Sequence, residues 1–301
     1  MTQRDIKAGE PREEVIEWKW QGNTLELGMT RQGQGPQVLL LPALSTISTR
    51  RELDELQARL AERFEVITID WPGFGDRPRP FEDWSAAALT EFLTFLLDDV
   101  VFMPEAIIAA GHGAGLLLRY LKVNPGSASK IVLIAPTWRG PLPTAAGERK
   151  PWFGHLRYLV DRPLIGRFIY RLNISDMMIR RMTSGHVYED DTWLSRERLR
   201  DKRRVTQAQG ARHASVRFVT GGLDPFTKRA QFVEALEEAN TPTLMVMTQR
   251  MPPRSRAEME ALAKLPNVET VRLSRGKLSV HEEFPDDVAE AILAWWDKPS
   301  A

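Results

Sequence analysis

Gly111-His112-Gly113-Ala114-Gly115 lies where the surrounding pattern calls for a nucleophile, yet none of the five residues carries a hydroxyl, thiol or carboxylate. The run Pro104-Glu105-Ala106-Ile107-Ile108-Ala109-Ala110 before it reads as a buried strand, and Leu116-Leu117-Leu118-Arg119-Tyr120-Leu121 after it reads as a helix. A strand, a glycine-flanked turn and a helix are the setting of the G-x-S-x-G elbow, in which a strained turn lifts a serine hydroxyl above a sheet. Gly113 takes the serine's place, leaving a vacant nucleophile position. The space a serine would fill is then expected to hold a water or a substrate atom.

Other side chains able to do chemistry are scattered. The chain has no cysteine, which excludes thiol nucleophiles and disulfides, and His112, His155, His186, His213 and His281 show no metal-ligand spacing. No metal and no cofactor are expected. His281, Glu282, Glu283 and Asp224 are the groups suited to activating water or abstracting a proton. Ser45, Thr46 and Ser48 are substitute nucleophiles, or else turn and capping residues. His112 reads as structural or as part of a binding site.

These residues need a frame. Val15-Ile16-Glu17-Trp18-Lys19-Trp20 and Thr24-Leu25-Glu26-Leu27 form a hairpin pattern. Strands at 38–41, 65–69, 104–110, 130–135, 243–247 and 268–273 then alternate with helices. Such alternation predicts an α/β fold with a mostly parallel sheet and helices on both faces. Two capping boxes, Thr49-Arg50-Arg51-Glu52 and Ser255-Arg256-Ala257-Glu258, are expected to open helices.

The alternation stops after the strand at 130–135. Residues 137–225 form an insertion too long for a loop, read as a helical cap between two core segments, 1–136 and 226–301. Asp161 and Ser175 are expected to cap two of its helices. Leu164, Ile165, Phe168, Ile169 and Leu172 share one face there, expected to pack on the sheet, with Met177, Met178 and Met182 nearby. Net charge over the whole chain is +1, but residues 149–212 hold 15 Lys and Arg against 7 Asp and Glu. That excess of eight suits an anionic ligand or a membrane surface. No recognised nucleic-acid reading module accompanies it, so no nucleic-acid partner is expected. Met1-Thr2-Gln3-Arg4-Asp5-Ile6-Lys7 lacks the apolar stretch of a secretory signal, and a cytoplasmic location is expected.

The layout resembles the α/β-hydrolase superfamily over residues 15–296, most of all the lidded branch with epoxide hydrolases, haloalkane dehalogenases and small-molecule esterases. Four segments carry the resemblance: Val38-Leu39-Leu40-Leu41-Pro42-Ala43-Leu44, Asp70-Trp71-Pro72-Gly73-Phe74-Gly75, Gly111-His112-Gly113-Ala114-Gly115, and His281-Glu282-Glu283-Phe284-Pro285. The resemblance implies a nucleophile at Gly113, an acid at Met251 and a base at Leu278, a catalytic triad vacated at these positions. His281, three residues after Leu278, is then either the base or a supporting histidine. The backbone amides of Leu44 and Ala114 would form the oxyanion hole, with His112 and Trp138 beside the ligand.

Two readings of function follow. In the first, a mostly apolar small molecule with a carbonyl or anionic group binds under the basic cap, and water or acid/base chemistry acts on it without a covalent intermediate. In the second, the protein binds a ligand or a partner and does no chemistry. A conventional ester hydrolase with an unrecognised nucleophile is a third.

Overall fold

A computed structural model describes residues 9–298; the segment Met1–Lys7 discussed above lies outside them. Eight strands form one sheet: β1 Arg12–Trp20, β2 Asn23–Gln32, β3 Gln37–Leu41, β4 Glu65–Ile69, β5 Ala106–Ala110, β6 Lys130–Ile134, β7 Thr243–Thr248 and β8 Val268–Leu273. Their order is β1-β2-β4-β3-β5-β6-β7-β8, antiparallel from β1 to β4 and parallel onward. The β1–β2 hairpin turns through Gln21 and Gly22, both at positive φ, as a tight two-residue hairpin of right-handed strand twist requires.

Side-chain alternation in the central strands divides the core in two. Val38 and Leu40 point to one face and Leu39 and Leu41 to the other, all buried. The first face is covered by α1 (Asp54–Leu60) and the C-terminal α13 (Pro285–Trp296), through Leu56, Leu60, Val288 and Ile292. The second is covered by α2 (Ala86–Phe95), α3 (Gly111–Val123), α10 (Arg229–Ala239) and α11 (Pro253–Leu262). The α/β arrangement with helices on both faces is therefore as expected.

Between β6 and α10 lie six helices: α4 Pro141–Ala146, α5 Trp152–Asp161, α6 Pro163–Asn173, α7 Asp176–His186, α8 Arg196–Thr206 and α9 Ala211–Val219. Among the described residues no helix is long and apolar enough to cross a membrane. Ser175 caps α7 by accepting from the Met178 N–H. Asp161 does not cap α6; it ends α5 and binds His213 at 2.7 Å and Arg217 at 3.2 Å.

Two further expectations need correction. The apolar face of α6 does not pack on the sheet: Leu164, Ile165, Phe168 and Leu172 are exposed. The inner side of α6 is instead set by Gly166, where a Cβ would collide with the Val160 carbonyl. Neither capping box closes. Thr49 accepts from the Arg51 N–H, but the Glu52 carboxylate turns away from its own helix, and Glu258 binds Trp138 and Arg229 within a helix already begun at Pro253.

Candidate functional site

The site is built where the β3 loop, the turn after β4 and the loop before α13 converge. Asp70, buried at the end of β4, accepts from the Arg50 N–H at 2.7 Å and from the Arg50 guanidinium at 2.5 Å. Gly75 sits at positive φ with its missing Cβ aimed at Asp70, which is why the turn needs glycine there. Thr30, Glu13 and Asp76 complete the guanidinium's partners. This buried clamp fixes the 3-10 turn Arg50–Leu53 and with it the direction of Glu52.

Glu52 then points back under the β3 loop. One oxygen accepts from the Ala43 N–H at 2.8 Å and stands 3.5 Å from His281 Nε2. Both side chains are sealed from solvent, at 2% and 0% exposure. Burial pushes the Glu52 carboxyl up, but His281, Lys202 and Ser48 together outweigh it and hold it below the usual carboxylate range. Glu52 is therefore charged at neutral pH. His281 lies on the short α12 (Val280–Glu283), and neither of its ring nitrogens has a hydrogen-bond partner among the described residues.

The cap contributes the rest. Lys202 of α8 reaches Glu282 at 2.7 Å, and the Tyr188 hydroxyl donates to the same carboxylate at 2.7 Å. The Glu283 carboxylate accepts from the Glu189 and Asp190 N–H groups. Leu278 N–H donates to the His186 carbonyl and Ser279 N–H to the Val187 carbonyl. Glu189 in turn binds the Gly276 N–H and Arg250. Residues 184–190 are thus strapped across the loop before α13.

The sequence-derived site residues distribute as follows. Gly113 is the third residue of α3, and the residue with positive φ at the strand–helix junction is Gly111, at +51°. The strained position thus falls two residues before the one inferred from the glycine pattern. The space at Gly113 is not open either: a Cβ there would lie 2.7 Å from the Pro42 carbonyl oxygen and 3.4 Å from Trp71. Ala114 lies in the first turn of α3, which begins at Gly111, and the amides of Gly111, His112 and Gly113 that open the helix have no backbone acceptor among the described residues. Leu44 is buried, and its N–H is unengaged among the described residues. Met251 is buried in the larger apolar core and Leu278 packs against it.

Other candidates are engaged elsewhere. His112 bonds the Leu223 carbonyl at 3.1 Å and stands 4.0 Å from Asp224, so both belong to the join between α3 and the cap's end. Burial holds the His112 imidazole below its ordinary value against the pull of Asp224. Trp138 donates to Glu258 at 3.1 Å and packs on Phe232. Ser45 and Ser48 are bonded to each other at 2.7 Å, and Ser45 also accepts from the Ile47 N–H, which is turn chemistry. Thr46 sits half-buried in the same loop. Among the described residues no three His, Asp or Glu side chains gather as metal ligands.

Glu52 and Lys202 were not among the sequence-derived candidates. Glu52 had a sufficient explanation as half of a capping box, and Lys202 was one charge in a basic run.

Residues 38–291 match the model of the Alpha/beta hydrolase family. Similar solved structures include an esterase from Thermogutta terrifontis, with 15% identity over 94% of this chain and 98% of that one and a TM-score of 0.69. The Cif epoxide hydrolase from Acinetobacter nosocomialis has 15% identity over 96% and 90%, with a TM-score of 0.72. The haloalkane dehalogenase DatA from Agrobacterium tumefaciens has 17% identity over 94% and 96%, with a TM-score of 0.69. An uncharacterised protein of Mycobacterium tuberculosis is 30% identical over 105 residues, a stretch that covers 34% of this chain and under a third, 30%, of that protein.

Proposed function

Because this chain belongs to the alpha/beta hydrolase family, we propose that it keeps the family's frame but works without a covalent intermediate. On this reading a small, mostly apolar molecule with a carbonyl or anionic group binds beneath the basic cap. Glu52, 3.5 Å from Nε2, orients His281, and the imidazole takes a proton from water or from the ligand. The unengaged Leu44 amide, with the free amides opening α3, stabilises the negative charge that develops on the carbonyl oxygen.

The observation that carries this reading is His281. Buried polar groups are nearly always hydrogen-bonded, and one left unpaired beside a charged carboxylate is a mark of function rather than of packing. Glycine at both the strained position 111 and position 113, with no hydroxyl at either, argues against serine-type chemistry, and the mutual bond of Ser45 and Ser48 argues against a substitute nucleophile.

A second reading, a ligand-binding or scaffold protein without turnover, is favoured by the strap of residues 184–190. It closes the region beside His281 with the protein's own groups, and catalysis requires it to lift.

One experiment separates the readings. Short-chain activated esters, lactones and epoxides are offered to the protein, to His281→Ala and to Glu52→Gln, alongside a serine-directed fluorophosphonate. The expected result is no covalent label, slow turnover of at least one carbonyl compound, and loss of that turnover in His281→Ala with binding retained. Binding without turnover in the unaltered protein selects the second reading; labelling that tracks with ester turnover overturns both.

A further inference from the structure

We propose that the outer face of α5–α7 is a docking surface for an anionic lipid bilayer, on which the cap lies without spanning it. The observation is a set of large apolar side chains left uncovered among the described residues. Tyr158, Leu164, Ile165, Phe168, Leu172 and Met177 are all exposed, Leu164 at 82% and Phe168 at 66%. They occur on three consecutive helices joined by one- or two-residue connections. Their exposure follows from the chain itself: Gly166 brings the inner side of α6 against the Val160 carbonyl, so the larger apolar residues must face outward.

Charge selects the occupant. Residues 152–186 contain six arginines and two aspartates. Both aspartates are already paired, Asp161 with His213 and Arg217, Asp176 with Arg203 in a half-exposed pair. Arg162, Arg167, Arg171, Arg180 and Arg181 are exposed and make no ion pair among the described residues. An apolar stripe of Leu, Ile and Phe flanked by unpaired arginines is the pattern of a helix lying in a membrane interface, with its apolar side among acyl chains and its cations at headgroup phosphates. A second protein copy would bring the same uncompensated positive charge against itself. The field weakens toward the end of α7, where Asp190 and Asp191 share a cavity of about 300 Å³ with Arg180 and Arg181. The docking face is therefore centred on α6.

The test is co-sedimentation of the full chain with vesicles of phosphatidylcholine alone and of phosphatidylcholine with about 30 mol% phosphatidylglycerol. Two variants accompany it, the apolar pair Leu164→Asp with Phe168→Asp and the basic pair Arg167→Gln with Arg171→Gln; all four positions are exposed, and circular dichroism confirms folding. Expected are binding to the anionic vesicles that falls with salt, its loss in the apolar pair, and a weakening of about tenfold or more in the basic pair. Four results overturn the proposal: no binding to anionic vesicles at low salt, equal binding to neutral ones, binding indifferent to both variant pairs, or self-association abolished by the apolar pair without vesicle binding. The last would assign the face to a second copy of the chain.

Discussion

The Pro42 carbonyl oxygen sits 2.7 Å from the point where a Cβ on Gly113 would stand, held there by a 2.8 Å hydrogen bond from the Trp71 indole N–H. A backbone carbonyl pinned by a buried tryptophan does not step aside as a flexible side chain would. The position that the glycine pattern assigns to a nucleophile is thus filled by the β3 loop. Gly113→Ser should cost about 1–3 kcal/mol through overpacking and create no esterase activity. Urea denaturation and an assay with activated esters check both parts. A serine accepted at no cost would mean that the loop yields.

Glu52 makes the stability of the protein depend on acid. Its carboxyl is held below its ordinary value in the folded chain, so from about pH 4.5 downward the unfolded chain binds the proton more readily. Stability from this group is complete above that pH and is lost as pH falls through the folded value. Glu52→Gln should therefore be less stable at neutral pH, and should lose less than the unaltered chain between pH 5 and 3. Urea midpoints across that range measure the difference; parallel curves would mean that Glu52 is not ionised where it lies.

How far these features could be read from the sequence depends on what each residue's neighbours in the chain could explain. The succession of strands and helices along the chain was legible because alternating apolar runs are local patterns, whereas the sheet order β1-β2-β4-β3-β5-β6-β7-β8 is not written in any local run. The Asp70 turn was legible as a motif, but its effect was not: the Arg50 clamp spans 20 residues, and only that clamp aims Glu52 at Ala43 and His281. Thr49 and Glu52 met every local requirement of a capping box, so nothing in the sequence asked for another role. The α6 stripe failed differently. Helical spacing identified Leu164, Ile165, Phe168 and Leu172 as one face, but which way that face turns was decided by the contact between Gly166 and Val160.

Lys202 and Glu282 form a pair about nine-tenths buried, 2.7 Å apart, joining α8 of the cap to α12 of the core. Removing one partner of such a pair leaves an uncompensated charge, which costs about 3–5 kcal/mol, whereas removing both is often nearly neutral. Lys202→Met should fall in that range, and the double variant Lys202→Met with Glu282→Gln should recover most of it. A double-mutant cycle of unfolding free energies checks the coupling. Additive losses would mean that the two residues stabilise the cap independently.

The strap over the loop before α13 has one accessible pin. Glu283, half-buried, accepts from the Glu189 N–H at 2.8 Å and the Asp190 N–H at 2.7 Å, and these charge-assisted bonds hold two polar residues that follow the buried Tyr188. Hydrogen bonds to a charged acceptor contribute about 1.5–3 kcal/mol. Glu283→Ala should therefore speed amide exchange at Glu189 and Asp190 by about tenfold or more, while amides of β5 and β6 exchange as before. The Tyr188–Glu282 bond and the carbonyls of His186 and Val187 still tie the neighbouring residues, so the opening should stay local. Hydrogen exchange read residue by residue decides it: faster exchange across the whole cap would make Glu283 the hinge of the entire lid, and unchanged exchange at the two amides would remove it from the strap.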